Sequence, residues 1–384
     1  MAEAFIIDAV RTPVGRRGGG LAGIHSADIG AHVLRELVAR TGIDPAAVDD
    51  VIMGCVDAIG PQASDVARTA WLVAGLPESV PGVTIDRQCG SSQQALQFAA
   101  QAVASGYADL VVAAGLQSMS NVPMSASRVA AKEFGFDDPF TTSPGWCARY
   151  GGDEVSQFRS AEMIATRWNI DRDAMEEFAL GSHQRAVAAI DAGFFEAEIT
   201  PIGLATADEC PRRDSSIERL AKLKTLVPDG RLTAGTSSQI SDGAAAILVA
   251  SERAVRVHGL RPRARIVHAS CLGADPVLML TAPIPATRRA LERSGLTIDD
   301  IDLFECNEAF APVVLAWQRD TGADPARVNV NGGAIALGHP IGATGARLMT
   351  SLLHELERRN GRYALQTMCE GGGQANVTII ERLD

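Results

Sequence analysis

Thr41-Gly42-Ile43-Asp44 through Asp49-Asp50-Val51-Ile52-Met53-Gly54 is a passage that the chain repeats in altered form. Its counterpart is Ser294-Gly295-Leu296-Thr297 through Asp299-Asp300-Ile301-Asp302-Leu303-Phe304. In each copy a helix with apolar spacing ends at glycine, a short connection follows, and an acidic pair precedes a strand. The two glycines lie 253 positions apart, and the same offset lays Leu110-Val111-Val112-Ala113-Ala114-Gly115 on Tyr363-Ala364-Leu365-Gln366-Thr367-Met368. A constant offset at both ends of a unit is hard to obtain by chance. Alternating strands and helices therefore predict two duplicated α/β halves, each a mixed sheet covered by helices.

Between Gln117 and about Pro228 nothing corresponds to the second half. This stretch mixes loops (Asp137-Asp138-Pro139, Ser143-Pro144-Gly145) with helical patterns over Gln157–Trp168 and Arg172–Ala192. It reads as an insertion forming a lid, the usual place for substrate selection. The expected division is residues 1–117 for the first half, completed by about 229–262, then 118–228 for the lid and 263–384 for the second half.

The 384 residues, 46% hydrophobic and 21% charged, describe an ordinary globular chain of more than one lobe. No apolar run approaches a membrane span. Met1 to Val10 reads directly as a strand and lacks the pattern of a signal peptide, so a cytoplasmic location is expected. Seven cysteines without tight pair spacing make neither a disulfide framework nor a zinc site. A net charge of −11 argues against general binding to nucleic acid or membrane surfaces, while leaving room for an anionic small ligand on a local basic patch.

Reactive side chains gather in four segments. Cys89 lies in Arg87-Gln88-Cys89-Gly90-Ser91, between the apolar run Val80–Ile85 and an alanine-rich helical stretch. A thiolate is favoured where a helix begins, because unpaired N–H groups and the positive end of the helix dipole face it. Cys306-Asn307-Glu308 follows a strand expected over Ile301–Glu305. His339 stands in the glycine-rich run Asn329 to Arg347, in which Gly342 is the repeat counterpart of Cys89. Cys369-Glu370-Gly371-Gly372-Gly373 ends another strand. Taken singly, each has an ordinary reading: a buried thiol, a structural histidine, a tight turn, a turn asparagine. Together they all sit at strand ends, where open α/β sheets place their sites.

At this point the chain resembles the thiolase family of acyl-CoA:acetyl-CoA acyltransferases, from the opening strand to the carboxyl terminus. The resemblance rests on Gln88-Cys89-Gly90-Ser91, Asn307-Glu308-Ala309-Phe310, Gly338-His339-Pro340, Cys369-Glu370-Gly371-Gly372-Gly373 and Thr233 to Ala245. Within the family it looks most like actinobacterial degradative members associated with steroid or unusual acyl-chain breakdown. The resemblance implies a thiolase fold, two βα halves with mixed five-stranded sheets sandwiching helices, plus the inserted lid. It implies Cys89 as nucleophile, His339 as its base and Cys369 as the acid and base that serves the leaving and entering groups. One oxyanion hole would comprise His339 and a water held by Asn307; a second would comprise the backbone N–H groups of Cys89 and Gly371. Ser238, Ala234 and Phe310 would touch the acyl-CoA, and Arg212 and Arg213 its nucleotide end. Coenzyme A is then a substrate, with no cofactor and no metal, and a homodimer or homotetramer is expected.

The chain also departs from the family pattern. Glu370 and Ala375 stand where many members have a small apolar residue and a glycine. A carboxylate beside Cys369 raises that thiol's pKa if it points inward; the expectation is that it points away or contacts the lid. Gln117 replaces a usual glutamate, and Gln157-Phe158-Arg159-Ser160 a usual methionine and glycine. These changes are expected around the acyl pocket and bear on the substrate rather than the reaction. The alternatives are a biosynthetic acetoacetyl-CoA thiolase, or a β-ketoacyl synthase-type condensing enzyme, which normally uses two histidines. From another class come a cysteine hydrolase, whose papain-like pattern the following Ser92-Gln93 does not match, and an inactive CoA-binding scaffold.

Overall fold

A computed structural model describes residues 3–383, so Met1 and Ala2, where the expected first strand begins, lie outside the described residues. The strands are β1 (Ala4–Arg11), β2 (Gly15–Arg16), β3 (Asp50–Gly54), β4 (Gly82–Ile85), β5 (Leu110–Ser118), β6 (Ser241–Ser251), β7 (Ala264–Gly273), β8 (Leu303–Cys306), β9 (Tyr363–Glu370) and β10 (Gln374–Arg382). They run in the order β4-β3-β5-β6-β1-β7-β10-β9-β8, with the short β2 paired to β6. The sheet is mixed: β3 is parallel to β4 and β5, β8 is parallel to β9, and the other neighbours are antiparallel.

The repeat governs this layout. Helices Ser26–Thr41 and Pro283–Ser294 both end on left-handed glycines, Gly42 (φ 66°) and Gly295 (φ 70°), a conformation glycine adopts without strain. The acidic residues that follow have a structural task. Asp49 Oδ2 accepts the N–H groups of Asp109 and Leu110 at the start of β5, at 2.7 and 2.9 Å. Asp302 Oδ2, its counterpart, accepts those of Arg362 and Tyr363 at the start of β9, at 2.6 and 3.0 Å. The next helices, Ser91–Ser105 and Thr344–Arg358, obey the 253-residue offset at both ends.

The two halves differ from the expected pair of five-stranded sheets in two ways. They join into one sheet through β1 and β7, which pair at Phe5↔Arg265 and Ile6↔Ala264. Among the described residues the second half has four strands, because beside β8 only a single bridge, Phe304↔Val328, stands where β4 stands beside β3.

Helices Ser91–Ser105 and Thr344–Arg358 form the middle layer, joined by a hydrogen bond from Ala346 N–H to Ser92 Oγ (2.9 Å). Ala95, Leu96 and Ala99 from one and Met349, Leu352 and Leu353 from the other share a core with inward residues of both half-sheets. The opposite faces of the half-sheets pack against the outer helices, including Ser26–Thr41 on one side and Pro283–Ser294 on the other. Residues 119–240 separate β5 from β6 and carry helices Gln157–Arg167 and Arg172–Asp191. Their apolar faces pack with Phe310, Val313 and Cys369, which sets this segment over the strand ends of the second half.

Candidate active site

Cys89 occupies the turn between β4 and helix Ser91–Ser105. The turn is tight: Gln88 takes a left-handed φ of 51°, and Gly90 and Ser91 N–H bond back to Arg87 and Gln88 carbonyls, both at 3.1 Å. Ser91 Oγ locks it, accepting from Arg87 N–H (2.9 Å) and donating to Gln88 O (2.6 Å). The half-buried Cys89 thiol therefore sits at the positive end of a 15-residue helix. The expected preference for thiolate is nevertheless overturned. Desolvation, followed by the nearby Glu370 carboxyl, pushes the thiol up to about 12. At that value Cys89 rests as a protonated thiol.

His339 lines the same cavity as Cys89. Its backbone N–H bonds Gln239 O at 3.0 Å. Its Nδ1 lies 2.6 Å from Thr344 Oγ1, whose own hydroxyl proton goes to Pro340 O at 2.9 Å. Thr344 must then accept, so Nδ1 carries the hydrogen and the lone pair is at Nε2. Nε2 lies 3.5 Å from Asn307 Nδ2. Burial, with Arg347 adding a like charge, lowers the imidazole to about 3, so it is neutral at rest.

Asn307 is buried, held by its N–H to Thr367 O at 3.1 Å, and its Oδ1 accepts no hydrogen bond among the described residues. Cys369 is buried on β9. Burial raises its thiol well above the ordinary value, with Cys89, Cys306 and Glu370 adding to the effect in that order. Gly371 lies against the Gln88 side chain, bringing its peptide beside the Cys89 turn.

Cys89 and His339 open onto one cavity of about 460 Å³. Of the expected ligand contacts, Ser238, Ala234, Phe310 and Arg212 line it. Arg213 does not; it is turned outward in an ion pair with Asp191 at 2.7 Å. Arg16 and Arg17, exposed at the same cavity, were not singled out from sequence, although their signal was there: adjacent arginines opening a glycine-rich loop after β1. Gln157 and Phe158 line the cavity as expected for substrate-selecting positions.

Gln117 does not. It is buried, and its side chain accepts from Val56 N–H (3.0 Å) and Gly342 N–H (3.1 Å) while donating to Val56 O (2.9 Å). It braces the histidine loop rather than the acyl pocket. Glu308 braces the same loop, accepting from Ile335 N–H (3.1 Å), Ser182 Oγ (2.7 Å) and Asn329 Nδ2 (3.0 Å). Glu370 faces the opposite side of β9 from Cys369, away from the lid and inward against Gly90. No cluster of His, Cys, Asp or Glu among the described residues is arranged to hold a metal, and no helix among them is long and apolar enough to cross a membrane.

A tight strand-to-helix turn presenting a thiol, a neutral histidine facing an asparagine amide, and a second buried thiol suit acyl transfer through a thioester. The comparisons with known proteins agree. Residues 4–253 match the family described as Thiolase, N-terminal domain, and residues 260–382 match Thiolase, C-terminal domain. Steroid 3-ketoacyl-CoA thiolase FadA6 of Mycobacterium tuberculosis is 64% identical over all of this chain and 95% of its own length. A beta-ketoadipyl-CoA thiolase of Escherichia coli is 45% identical over the full length of both. The crystal structure of the Bacillus anthracis acetyl-CoA acetyltransferase superposes with a TM-score of 0.89 at 37% identity, covering 100% of this chain and 99% of that one. The chain belongs to the thiolase family and is an acyl-CoA acyltransferase.

Proposed function

We propose that this thiolase cleaves a 3-oxoacyl-CoA with coenzyme A as co-substrate, using Cys89 as acyl carrier. The observation that carries the residue roles is the shared cavity of Cys89 and His339, with Cys369 close enough behind it that the Cys89 thiol raises its pKa. The resting pair is neutral on both sides, so proton transfer from Cys89 Sγ to His339 Nε2 accompanies attack on the substrate's C3. The negative charge passes to the C3 oxygen, where the N–H groups of Cys89 and Gly371 receive it. The C2–C3 bond then breaks, leaving the acyl group on Cys89. The acetyl-CoA enolate takes its proton from Cys369, its oxygen steadied by the Nε2–H of protonated His339 and a water on Asn307. Coenzyme A enters and gives its thiol proton to Cys369; its sulfur attacks the thioester. Cys89 leaves as thiolate and recovers its proton from His339.

Residues 118–228 act as the cover over this site, with Ser238, Ala234, Phe310 and Arg212 along the acyl-CoA. The acyl group is proposed to be steroid-derived or similarly bulky, supported by the 64% identity to a steroid 3-ketoacyl-CoA thiolase. No cofactor is proposed beyond coenzyme A as substrate. A cytoplasmic homodimer or homotetramer is proposed from the family resemblance, with the strongly exposed Phe134 and Phe136 as apolar surface to cover. The test is thiolysis of a substrate panel by the purified protein. CoA-dependent cleavage, fastest with bulky or branched 3-oxoacyl-CoAs, is expected. No cleavage of any member contradicts the reaction, and a large preference for acetoacetyl-CoA contradicts the acyl group.

A further inference from the structure

Glu370 is a buried carboxyl with no task in the mechanism above. Its side chain is 0% exposed, and apart from an approach by the Asn376 backbone N–H neither oxygen has a hydrogen-bond partner among the described residues. It lies against the turn that presents Cys89. A Cβ placed on Gly90 would stand 1.9 Å from Glu370 Oε1 and 2.8 Å from Asn376 Oδ1, so any larger residue here would have to displace the Glu370 carboxyl. Asn376 Oδ1 is also unpartnered, as is Arg87 Nε.

The repeat makes the position informative. With the 253-residue offset, Glu370 corresponds to Gln117 and Cys89 to Gly342. Gln117 bonds the Gly342 N–H directly. In one half a neutral amide clamps the turn; in the other an ionisable carboxyl faces the turn that carries the reactive thiol, without clamping it.

We propose that Glu370 is a positioning residue that sets the charge state of Cys89: the enzyme works with this carboxyl protonated, and its ionisation holds Cys89 as a thiol and opposes the oxyanion. The proposal rests on the reading of Cys89 as nucleophile. An ionised Glu370 lies against Gly90, next in sequence to Cys89, and directly precedes Gly371, so it stands near the peptides where negative charge develops twice per cycle of the proposed mechanism. Burial favours the neutral acid, raising Glu370 to about 8, with Arg87 and then the Asn376 backbone N–H pulling the other way. The remaining groups around it are Asp86, Arg87 and Cys89 from the turn, Gln94 and Gln97 from helix Ser91–Ser105, Cys271 from β7, Cys369 from β9, and Gln374 and Asn376 from β10. Glu370→Gln leaves all of these in place and removes only the titratable charge.

The test is the rate of iodoacetamide labelling at Cys89, read by peptide mass spectrometry from pH 6.5 to 9.5. Wild type and Glu370→Gln should agree within about twofold at pH 6.5 and diverge to about tenfold by pH 9.5, the variant faster. That gap corresponds to one pKa unit on the thiol. Wild type alone should show log rate rising with a slope below one around pH 8, where the growing charge on Glu370 restrains Cys89. A packing role would change the rate equally at every pH. A constant ratio, or a wild-type slope of one throughout, overturns the proposal while leaving the nucleophile intact. Absence of labelling at Cys89 in any protein overturns the nucleophile assignment instead. Should Glu370→Gln not fold, the wild-type slope decides alone.

Discussion

The two halves of this molecule are built alike and finished differently. Each presents a helix N-terminus to the site, Ser91 in one half and Thr344 in the other, and each supplies a strand end beside it, β5 and β9. At the first helix the preceding turn carries Cys89. At the second, the equivalent turn carries Gly342 and is braced so that His339 is held still. The strand ends diverge in the same sense: Leu116 and Gln117 stand near the end of β5, while Cys369 and Glu370 stand at their places on β9. Duplication supplies the scaffold, and the chemistry comes from where the copies stopped matching. In the proposed mechanism one half delivers the nucleophile, and the other delivers its base and the second thiol.

The largest expected effect breaks this division at the nucleophile. Cys89→Ala should lower thiolysis by about four orders of magnitude or more, whereas removing its counterpart position removes no reacting group. Cys369→Ala should still acquire an acyl group on Cys89 but turn over about 10²- to 10⁴-fold more slowly, the usual worth of a positioned acid or base. Normal steady-state turnover in that variant would remove Cys369 from the cycle.

Replacing each strand-end residue by leucine sharpens the contrast in stability. Gln117→Leu strips partners from Val56 N–H and Gly342 N–H in a buried site, and should cost about 3 kcal/mol in denaturant unfolding. Glu370→Leu removes no more than the approach of the Asn376 backbone N–H and should be neutral or stabilising. The two should also differ in pH dependence. Between the ordinary carboxyl value of 4.5 and about 8, folded Glu370 keeps a proton that the unfolded chain has released. Wild type therefore loses stability through that window as pH rises. Glu370→Leu should not, so its advantage should widen from pH 5 to pH 8. Equal pH profiles for the two proteins would argue that Glu370 is ionised in the fold.

The smallest effects separate two neighbours. Arg212→Ala should raise the KM for coenzyme A several-fold, because Arg212 lines the cavity. Arg213→Ala should leave it unchanged, because that guanidinium is occupied at the surface by Asp191.

Much of this comparison was legible in the chain. The offset of 253 residues located paired helices, strands and glycine caps, because local periodicity and turn chemistry are written residue by residue. Four reactive segments were visible because glycine and strand-end position are local signals too. Features that depend on two distant segments were not. The reduction of a fifth strand to one bridge at Val328 depends on what lies beside β8. Whether Arg212 or Arg213 faces the cavity depends on where Asp191 falls. Glu370 could be placed opposite Cys369 by strand alternation, but its burial against Gly90 depends on how closely helix Ser91–Ser105 packs on β9 and β10. The resting state of Cys89 is of the same kind, since the helix dipole that favours a thiolate is local and the desolvation that opposes it is not.

The central claim is that one half carries the acyl group and the other moves its protons. Mass spectrometry of the intact protein and its peptides after incubation with 3-oxoacyl-CoA, without free coenzyme A, tests it directly. The expected result is one acyl adduct on Cys89 in both wild type and Cys369→Ala, discharged by coenzyme A rapidly in the first and slowly in the second. An adduct on Cys369, on Cys306 or on no cysteine at all would contradict it.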